Sequence, residues 1–392
     1  MDRKTFIGNV WEVVKREIRI IRQRPLYLLA SVGVIIVNAV FYLTFFRDGL
    51  PYDLPVGVVD EDRSSTSRNF AEQLNSTQLS EVIYFDDIHA ARRAMQMGRI
   101  TSFVLIPEHF NNDIQANRRP HIQFYVNSLY FVGGALSYKD LLQMIHLTNG
   151  AVQREVLRAH GVNEREIMNR IQPIVIDAHQ IGNPTTNYGI YLNNILLPGI
   201  LAMIVVLITV YTLGAELKYG TSRHLLKVSG DSIVVALTGK MLPYTVLFTI
   251  LGISLELLLF VWLRYPLAGS VWPMFLDILL MILASQAIGI FIVELLPILR
   301  LSISIGAIFS TLGLSLAGFT LPVEAMPRWI GAWSAAFPLR HYYMMFVQEA
   351  IYGSGFSGWW QEVVHFLLFL LLPAFGLRRL KSAYTLQNYP RN

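Results

Sequence analysis

The sequence predicts a polytopic α-helical membrane protein with six transmembrane helices and an inserted α/β extracytoplasmic domain. Hydrophobic residues make up 53% of the 392-residue chain and charged residues only 15%, a composition too apolar for an ordinary soluble protein. Several apolar runs are also long enough to cross a bilayer. Residues 47–189 differ from the rest, because they hold 16 of the 27 acidic residues and alternate in polarity as soluble domains do.

Residues 1–25 are predicted to form an amphipathic interfacial helix on the cytoplasmic face of the membrane. Trp11, Val14, Ile18 and Ile21 recur at helical spacing, and basic residues occupy the other side. A plain solvated basic helix is the alternative interpretation. A tryptophan beside a basic flank favours the interfacial one.

An apolar helix of roughly 20 residues crosses the hydrocarbon core, because lipid offers no partner to an unpaired backbone amide. Six runs are predicted to span, and the last is the shortest. They are residues 26–46, 195–214, 243–263, 273–297, 301–321 and 363–377. The first run is too long for a cleavable signal peptide, and no small-residue cleavage site follows it.

Lysine and arginine residues gather at alternate ends of these spans. Basic groups precede the first span, separate the second from the third, lie between the fourth and fifth, and follow the sixth. The last group is a basic tail with Arg378, Arg379, Lys381 and Arg391. The short opposite loops hold only Arg264, Arg328 and Arg340. The positive-inside rule therefore places both termini in the cytoplasm.

Residues 47–189 are predicted to fold as an α/β domain outside the membrane. Short strands are predicted at residues 56–59, 82–85, 103–106 and 122–126. Helices are predicted at residues 65–74, 88–97, 108–116, 136–160 and 162–171. The alternation of the two element types indicates a small sheet covered by helices. Residues 190–392 then form a bundle of the second to sixth spans.

Residues 215–242 are predicted to form a short, charged cytoplasmic loop with helical character. Leu225 and Leu226 predict an apolar ridge, flanked by Arg223 and Lys227, that a soluble partner could grip. A plain interhelical loop without a partner is the alternative that composition leaves open.

Several motifs in this chain follow one another in a particular order. They are Val56 to Ser65 after the first span, Leu197-Pro198-Gly199 in the second, Glu216 with Gly220-Thr221 and Gly239-Lys240 in the loop, and Gly318-Phe319, Pro322 and Met326-Pro327 after the fifth. In this order they resemble ABC-2 type transporter permeases, the membrane subunits of bacterial ABC exporters. The likeness is to the subgroup with a large extracytoplasmic domain between the first two spans.

The resemblance implies roles for two groups of residues. The ATPase-coupling group is Glu216, Gly220, Thr221, Arg223, Leu225, Leu226 and Lys227. The exit group is Gly318, Phe319, Pro322, Met326 and Pro327, next to a re-entrant or interfacial segment at residues 322–358. In that segment Trp329, Trp333, Phe337, Tyr342 and Tyr343 are expected to form an aromatic belt at the membrane interface.

The resemblance also implies the partners and the location. A separate ABC ATPase subunit would carry ATP and Mg²⁺, and a second permease copy or a paralogue would complete the translocation path. The location would be a bacterial inner membrane, and transport would be export. The extracytoplasmic domain would extend toward a periplasmic adaptor or cap the dimer.

Catalytic and cofactor motifs are not found in the sequence. Gly239-Lys240 is followed by Met241 rather than serine or threonine, so it is not a phosphate-binding loop. The chain has no cysteine, and His121, His146, His160 and His179 show no spacing typical of metal ligands. We therefore expect a transporter subunit that is not itself an enzyme, binds no cofactor and contacts lipid rather than nucleic acid.

Three carboxylic residues fall inside predicted spans, where charge is costly, and Glu294 lies near the inner end of the fourth. Glu256 lies in the third span and Asp277 near the outer start of the fourth. Counting 1.5 Å per residue places both in the outer half of the bilayer, where they could contact a substrate or act as a gate. Structural carboxylates satisfied by a neighbouring helix are the alternative.

Two other classes of function compete with a transporter. A membrane-anchored ligand-sensing or assembly protein would act through the extracytoplasmic domain, but it predicts fewer spans and an attached signalling domain. A lipid-modifying transferase predicts histidine and acidic residues clustered at one membrane face. The number and order of the spans favour the transporter.

Overall fold

The computed structural model describes residues 3–77, 79–116, 118–129, 131–172, 174–175, 177, 179–387 and 389. Arg391, which the sequence places in the basic tail, lies outside these residues. The chain folds into two compact units. Asp48–His179 forms one, here the sheet unit, and Met1–Arg47 with Gln180–Asn392 forms the other, here the helical unit.

The helical unit begins with three helical segments. They are α1 (Arg3–Gln23), α2 (Pro25–Leu28) and α3 (Val34–Phe45), and a π-helical turn at Leu29–Gly33 joins the last two. Pro25 occupies the first position of α2, where its missing N–H costs nothing. The run predicted at residues 26–46 is therefore helical to Phe45.

The described residues of the sheet unit form four strands in the order β2-β1-β3-β4. They are β1 (Leu54–Asp60), β2 (Ser80–Phe85), β3 (Ser102–Ile106) and β4 (Gln123–Val126). The central strand β1 runs parallel to β2 and β3, and β4 is antiparallel to β3. Each strand begins and ends within two residues of its predicted position.

Five helices accompany this sheet among the residues that the structure describes. They are α4 (Ser65–Asn75), α5 (Ile88–Gln96), α6 (Phe110–Gln115), α7 (Phe131–Ala159) and α8 (Glu164–Ile171). Ser64 and Asp87 cap α4 and α5 through their side chains. Three predicted helix starts were wrong by two residues or more, and one of them is α8, which begins at Glu164 instead of residue 162. Helix α7 begins five residues before residue 136, and α6 begins two residues after residue 108, because His109 adopts a left-handed conformation at φ 64°.

The sheet is covered on both faces. Val56 and Val58 of β1 pack in one apolar cluster with α4 and α7, and the opposite face packs against Ala91 and Ala94 of α5. Gly57 lies where a Cβ would come within 2.8 Å of the Phe103 Cβ, so only glycine fits this central strand. Burial on both faces explains why β1 reads as a continuous apolar run.

In the described part of the chain, the helical unit continues with nine helices. They are α9 (Tyr188–Lys218), α10 (Ser222–Val228), α11 (Ile233–Glu256), α12 (Val271–Leu295), α13 (Leu299–Ser315), α14 (Arg328–Ser334), α15 (Pro338–Phe346), α16 (Phe356–Phe369) and α17 (Leu377–Leu386). Helix α11 continues as a π-helical turn to Trp262, and α15 continues likewise to Ile351. A 3₁₀ turn at Leu372–Phe375 lies between α16 and α17.

Four helices in the described part of the chain are long and apolar enough to cross a membrane. They are Tyr188–Lys218, Ile233–Trp262, Val271–Leu295 and Phe356–Phe375. Two further apolar helices, Leu29–Phe45 and Leu299–Ser315, are shorter. The protein is thus predominantly helical, with four candidate membrane spans and a small sheet.

Several helices differ in length from the predicted spans. The helices that contain the second and third predicted spans begin before residues 195 and 243, because polar residues such as Asn193, Asn194 and Lys240 are buried inside these helices rather than ending them. The helix of the fifth predicted span ends at Ser315, so the predicted end at residue 321 was wrong. Gly318, at φ 100°, turns the chain there into a conformation that an α-helix cannot contain.

Helix α9 lies at the centre of the helical unit and packs against α12 and α13. Small residues allow this close approach. A Cβ on Gly289 of α12 would lie 2.8 Å from Thr209 of α9, and one on Gly199 of α9 would lie 2.7 Å from Leu314 of α13. Such small-residue contacts are typical of helices that pack within a membrane.

Candidate functional site

The predicted loop at residues 215–242 is almost entirely helical. It comprises the end of α9, the short helix α10 and the start of α11. Gly220 and Gly230 flank α10 with positive φ angles of 68° and 64°, which let the chain turn sharply at both ends. The short helix is therefore held between two long helices.

Glu216, at the end of α9, is buried and ion-paired. The Arg16 guanidinium of α1 donates two hydrogen bonds to its carboxylate, at 2.8 Å and 2.9 Å. Lys240 Nζ of α11 donates a third at 2.8 Å, and the Thr221 hydroxyl donates a fourth. Paired, fork-like bonds of this kind fix the relative position of the two helices as well as their charges.

Glu17 completes the cluster from the next position on α1. Its carboxylate accepts hydrogen bonds from Lys240 Nζ at 2.7 Å and from the Tyr244 hydroxyl at 2.9 Å. Glu17, Lys240 and Glu216 are 0%, 2% and 3% exposed. The four charged groups of Arg16, Glu17, Glu216 and Lys240, here the charge junction, therefore balance to zero inside the protein.

Arg16 stays charged in this setting. Burial lowers the pKa of its guanidinium, but the hydrogen bond and the charge of Glu216 oppose this, and the pKa lies above its ordinary value. The charge junction thus joins α1, α9 and α11 through hydrogen bonds between groups of opposite charge.

The prediction that Leu225 and Leu226 form an exposed apolar ridge was wrong. Their side chains are 0% and 4% exposed and belong to the core of the helical unit. The exposed side of α10 carries Arg223, His224 and Lys227 instead. Helical periodicity alone does not show which face of so short an amphipathic helix is covered.

The C-terminal helix α17 packs against α10 from behind. The Ser222 hydroxyl donates to the Tyr384 carbonyl at 2.9 Å, and Arg223 Nε donates to the Thr385 carbonyl at 2.8 Å. Tyr384 in turn donates to the Leu213 carbonyl of α9 at 3.0 Å. Helix α10 is therefore held in place by contacts with the C-terminal helix α17 as well as by the long helices α9 and α11.

Sequence reasoning missed Glu17 and the partner role of Lys240. The sequence did hold a signal for Glu17. This residue lies four positions after Val13 and three after Val14, so it shares a helix face with both valines, and both are buried in the structure. An acid within the buried stripe of a basic helix indicates a buried cationic partner. Nothing in the sequence identified Lys240 as that partner, since 223 residues separate the two.

Glu256 and Asp277, the predicted intramembrane pair, are both 0% exposed. The Tyr342 hydroxyl of α15 donates to Glu256 Oε1 at 2.7 Å. Neither carboxyl oxygen of Asp277 has a hydrogen-bond partner among the described residues, and Glu256 and Glu362 lie close enough to interact with it electrostatically. The two predicted residues thus belong to one buried acidic region.

The exit residues follow the end of α13 as an irregular segment. Gly318 turns the chain, and Phe319 packs against Tyr191 and Tyr343 with ring centroids 6.2 Å and 6.4 Å away. Met326 is buried, whereas Pro322 and Pro327 are exposed.

The segment predicted at residues 322–358 contains α14 and α15, and it runs into the start of α16. Its expected aromatic belt is only partly exposed. Trp329 and Trp333 are 71% and 50% exposed, but Phe337 and Tyr342 are each 1% exposed and belong to the protein core.

The comparisons agree with this architecture. A family model described as an ABC-2 family transporter protein matches residues 26–377, so this chain is a membrane transport protein that belongs to the ABC-2 transporter family. The chain is also similar to the inner membrane transport permease YhhJ of Escherichia coli (strain K12) and to its counterpart in Shigella flexneri. Each is 26% identical over 330 residues, which cover 82% of this chain and 82% of the relative.

Proposed function

We propose that this chain is the permease subunit of an ATP-driven ABC-2 exporter, in which two permease chains form the translocation path. ATP and Mg²⁺ bind a separate cytoplasmic ATPase subunit. Membership of the ABC-2 family and the lack of a phosphate-binding loop in the sequence support this proposal. The relatives' printed name supports a bacterial inner membrane as the location.

The charge junction is the main structural observation that supports the proposal. It links α1, α9 and α11 directly behind α10, and Thr221 at the start of α10 is itself bonded to Glu216. A force applied to α10 would therefore reach two long bundle helices through short, charge-assisted bonds rather than through a flexible loop.

The ATPase is proposed to dock on the exposed side of α10. Arg223 and Lys227 make this side basic, so an acidic groove on the ATPase would complement it. Leu225 and Leu226 would then transmit the movement of α10 into the core, because both are packed inside it. In this proposal the two leucines connect α10 to the protein core and do not contact the ATPase.

Six spans and cytoplasmic termini complete the proposal. The two shorter apolar helices, Leu29–Phe45 and Leu299–Ser315, would span together with the four longer ones. The sheet unit would then lie outside the cytoplasm and reach toward a periplasmic adaptor. Glu256 and Asp277 would line the gate between the two permease chains, where desolvated acidic groups are most often functional.

Site-specific cross-linking tests the docking surface, because the chain has no native cysteine. His224→Cys, on the exposed side of α10, should cross-link to the ATPase that copurifies from native membranes. Ser357→Cys is the matched control, since Ser357 is exposed at the start of α16. The proposal fails if no ATPase copurifies, or if both variants cross-link equally.

Labelling with a membrane-impermeant maleimide tests the topology. In intact spheroplasts Ser76→Cys, which is exposed in the sheet unit, should be labelled, while His224→Cys should react only after permeabilisation. Deleting residues 53–181 and measuring export from cells then tests the adaptor. Intact export by a deleted but assembled protein would contradict that part.

A further inference from the structure

We propose that His341, Glu362 and His365 bind a divalent transition metal of the Zn²⁺ class between α15 and α16. One ligand atom from each residue lies within 4.8 Å of the other two. His341 belongs to α15, whereas Glu362 and His365 are three residues apart on α16 and so lie on one face of that helix. This inference does not depend on the proposed transport function.

The hydrogen bonds of His341 orient its ring for a cation. Its Nε2 lies 2.9 Å from the Ala335 carbonyl oxygen, which can only accept, so Nε2 carries the hydrogen. In the neutral ring the lone pair of Nδ1 then points at Glu362 Oε2, which lies 2.6 Å away. Two acceptors at this distance repel each other unless a cation lies between them.

The backbone contact of His341 also matches metal sites in a second respect. A histidine that binds a metal usually donates its other ring N–H to a carbonyl or carboxylate, which fixes the tautomer and the direction of the lone pair. The Ala335 carbonyl supplies that contact here.

His365 distinguishes a metal from a shared proton. Its Nδ1 atom is buried, has no hydrogen-bond partner among the described residues, and lies 3.6 Å from the same Glu362 oxygen. A proton between His341 and Glu362 would leave this nitrogen unsatisfied. A metal ion would accept a lone pair from each of the three ligand atoms, His341 Nδ1, Glu362 Oε2 and His365 Nδ1.

The donor set and the spacing fit tetrahedral Zn²⁺. Bond lengths of about 2.0 to 2.1 Å place neighbouring ligand atoms roughly 3.3 Å apart. The two contacts of Glu362, at 2.6 Å and 3.6 Å, bracket this spacing. The His341 and His365 rings are stacked with centroids 4.6 Å apart and planes 20° apart, so the His365 ring has to rotate before its Nδ1 faces the same ion as His341 Nδ1. Two imidazoles and one carboxylate leave a fourth position free, and the His365 side chain is 45% exposed, which gives access to it.

Nearby acidic groups favour a cation in the same place. Asp277 interacts electrostatically with Glu362 and with Glu256, and both of its oxygens are buried without a hydrogen-bond partner in the described part of the chain. A divalent ion bound at Glu362 would offset the repulsion between Glu362 and Asp277. Sequence reasoning gave His341 no role, because 21 residues separate it from Glu362.

Metal titration of the purified full-length permease tests the proposal, in a preparation without a polyhistidine tag. After chelator treatment, one equivalent of Zn²⁺ should bind each chain, and Co²⁺ should give the visible absorption bands of a tetrahedral site. His341→Ala and His365→Ala should each weaken binding at least about 10-fold, as losses of metal-site contacts usually do. His146→Ala, at an exposed histidine of the sheet unit, should bind like the wild type.

Thermal unfolding separates loss of the metal from loss of the fold. Saturating Zn²⁺ should raise the unfolding temperature of the wild type and of His146→Ala, and it should not raise that of Glu362→Gln. The Co²⁺ spectrum of the wild type needs no variant, so the proposal stays testable if a variant fails to fold. If the protein shows neither the Co²⁺ bands nor stoichiometric Zn²⁺ binding, the proposed metal site is overturned. The cation between His341 and Glu362 is then a shared proton.

Discussion

Replacing Lys240 with methionine perturbs the charge junction at its centre. Lys240 is 2% exposed and donates to Glu17 at 2.7 Å and to Glu216 at 2.8 Å. Arg16 keeps Glu216 paired through two hydrogen bonds, but its nearest contact with Glu17 is 3.6 Å. Lys240→Met therefore leaves Glu17 as a buried, poorly compensated charge.

The expected loss is about 3–5 kcal/mol of the free energy of unfolding, the usual cost of breaking a buried ion pair by removing one partner. Adding Glu17→Gln should restore about half of that loss or more, because the glutamine is neutral and can still bond the Tyr244 hydroxyl. The two changes should thus be strongly non-additive.

Titration with denaturing detergent in mixed micelles measures these free energies of unfolding. Lys227→Met is the matched control, because Lys227 is exposed on α10 and the chemical change is the same. It should alter the free energy by less than about 0.5 kcal/mol. A loss under about 1 kcal/mol for Lys240→Met, or a double variant no more stable than the single one, would refute the reasoning.

Two further predictions concern packing and buried hydrogen bonds. In Gly239→Ala the new Cβ would lie 2.7 Å from a valine of α1, so we expect a loss of about 1–3 kcal/mol and faster proteolysis of α1. Gly8→Ala, which meets open space, should show neither effect. Tyr342→Phe removes the hydroxyl that donates a hydrogen bond to Glu256, so it should lower the free energy of unfolding by about 1–3 kcal/mol. Tyr352→Phe is the control, because Tyr352 is 63% exposed, and it should leave the free energy nearly unchanged in the same titration.

Much of the fold could be predicted because its signals are local. Apolar runs of span length, strands of four to seven residues and the serine cap of α4 each depend on neighbours in the chain. Some errors occurred where a distant residue satisfied a polar group. Lys240 is an example, since as a buried, paired lysine it extends α11 well before the predicted start of the third span.

The candidate sites show the same division. Glu216, Glu256 and Asp277 could be selected from the sequence alone, because an acidic residue within or beside an apolar span is unusual. Their partners Arg16, Lys240 and Tyr342 could not be assigned. Each pair is separated by 24 to 200 residues, and no local pattern links them.

The sequence by itself determined that this protein is an apolar helical chain with an α/β segment, and its motifs indicated the ABC-2 family, because composition, span length and motif order are properties of the chain alone. Only the tertiary structure decided that Leu225 and Leu226 face the core, and that α1 is joined to α9 and α11 by a cluster of four charges, three of them buried. The physical reason is that the burial of a side chain and the pairing of a charge depend on groups that folding brings together from distant parts of the chain.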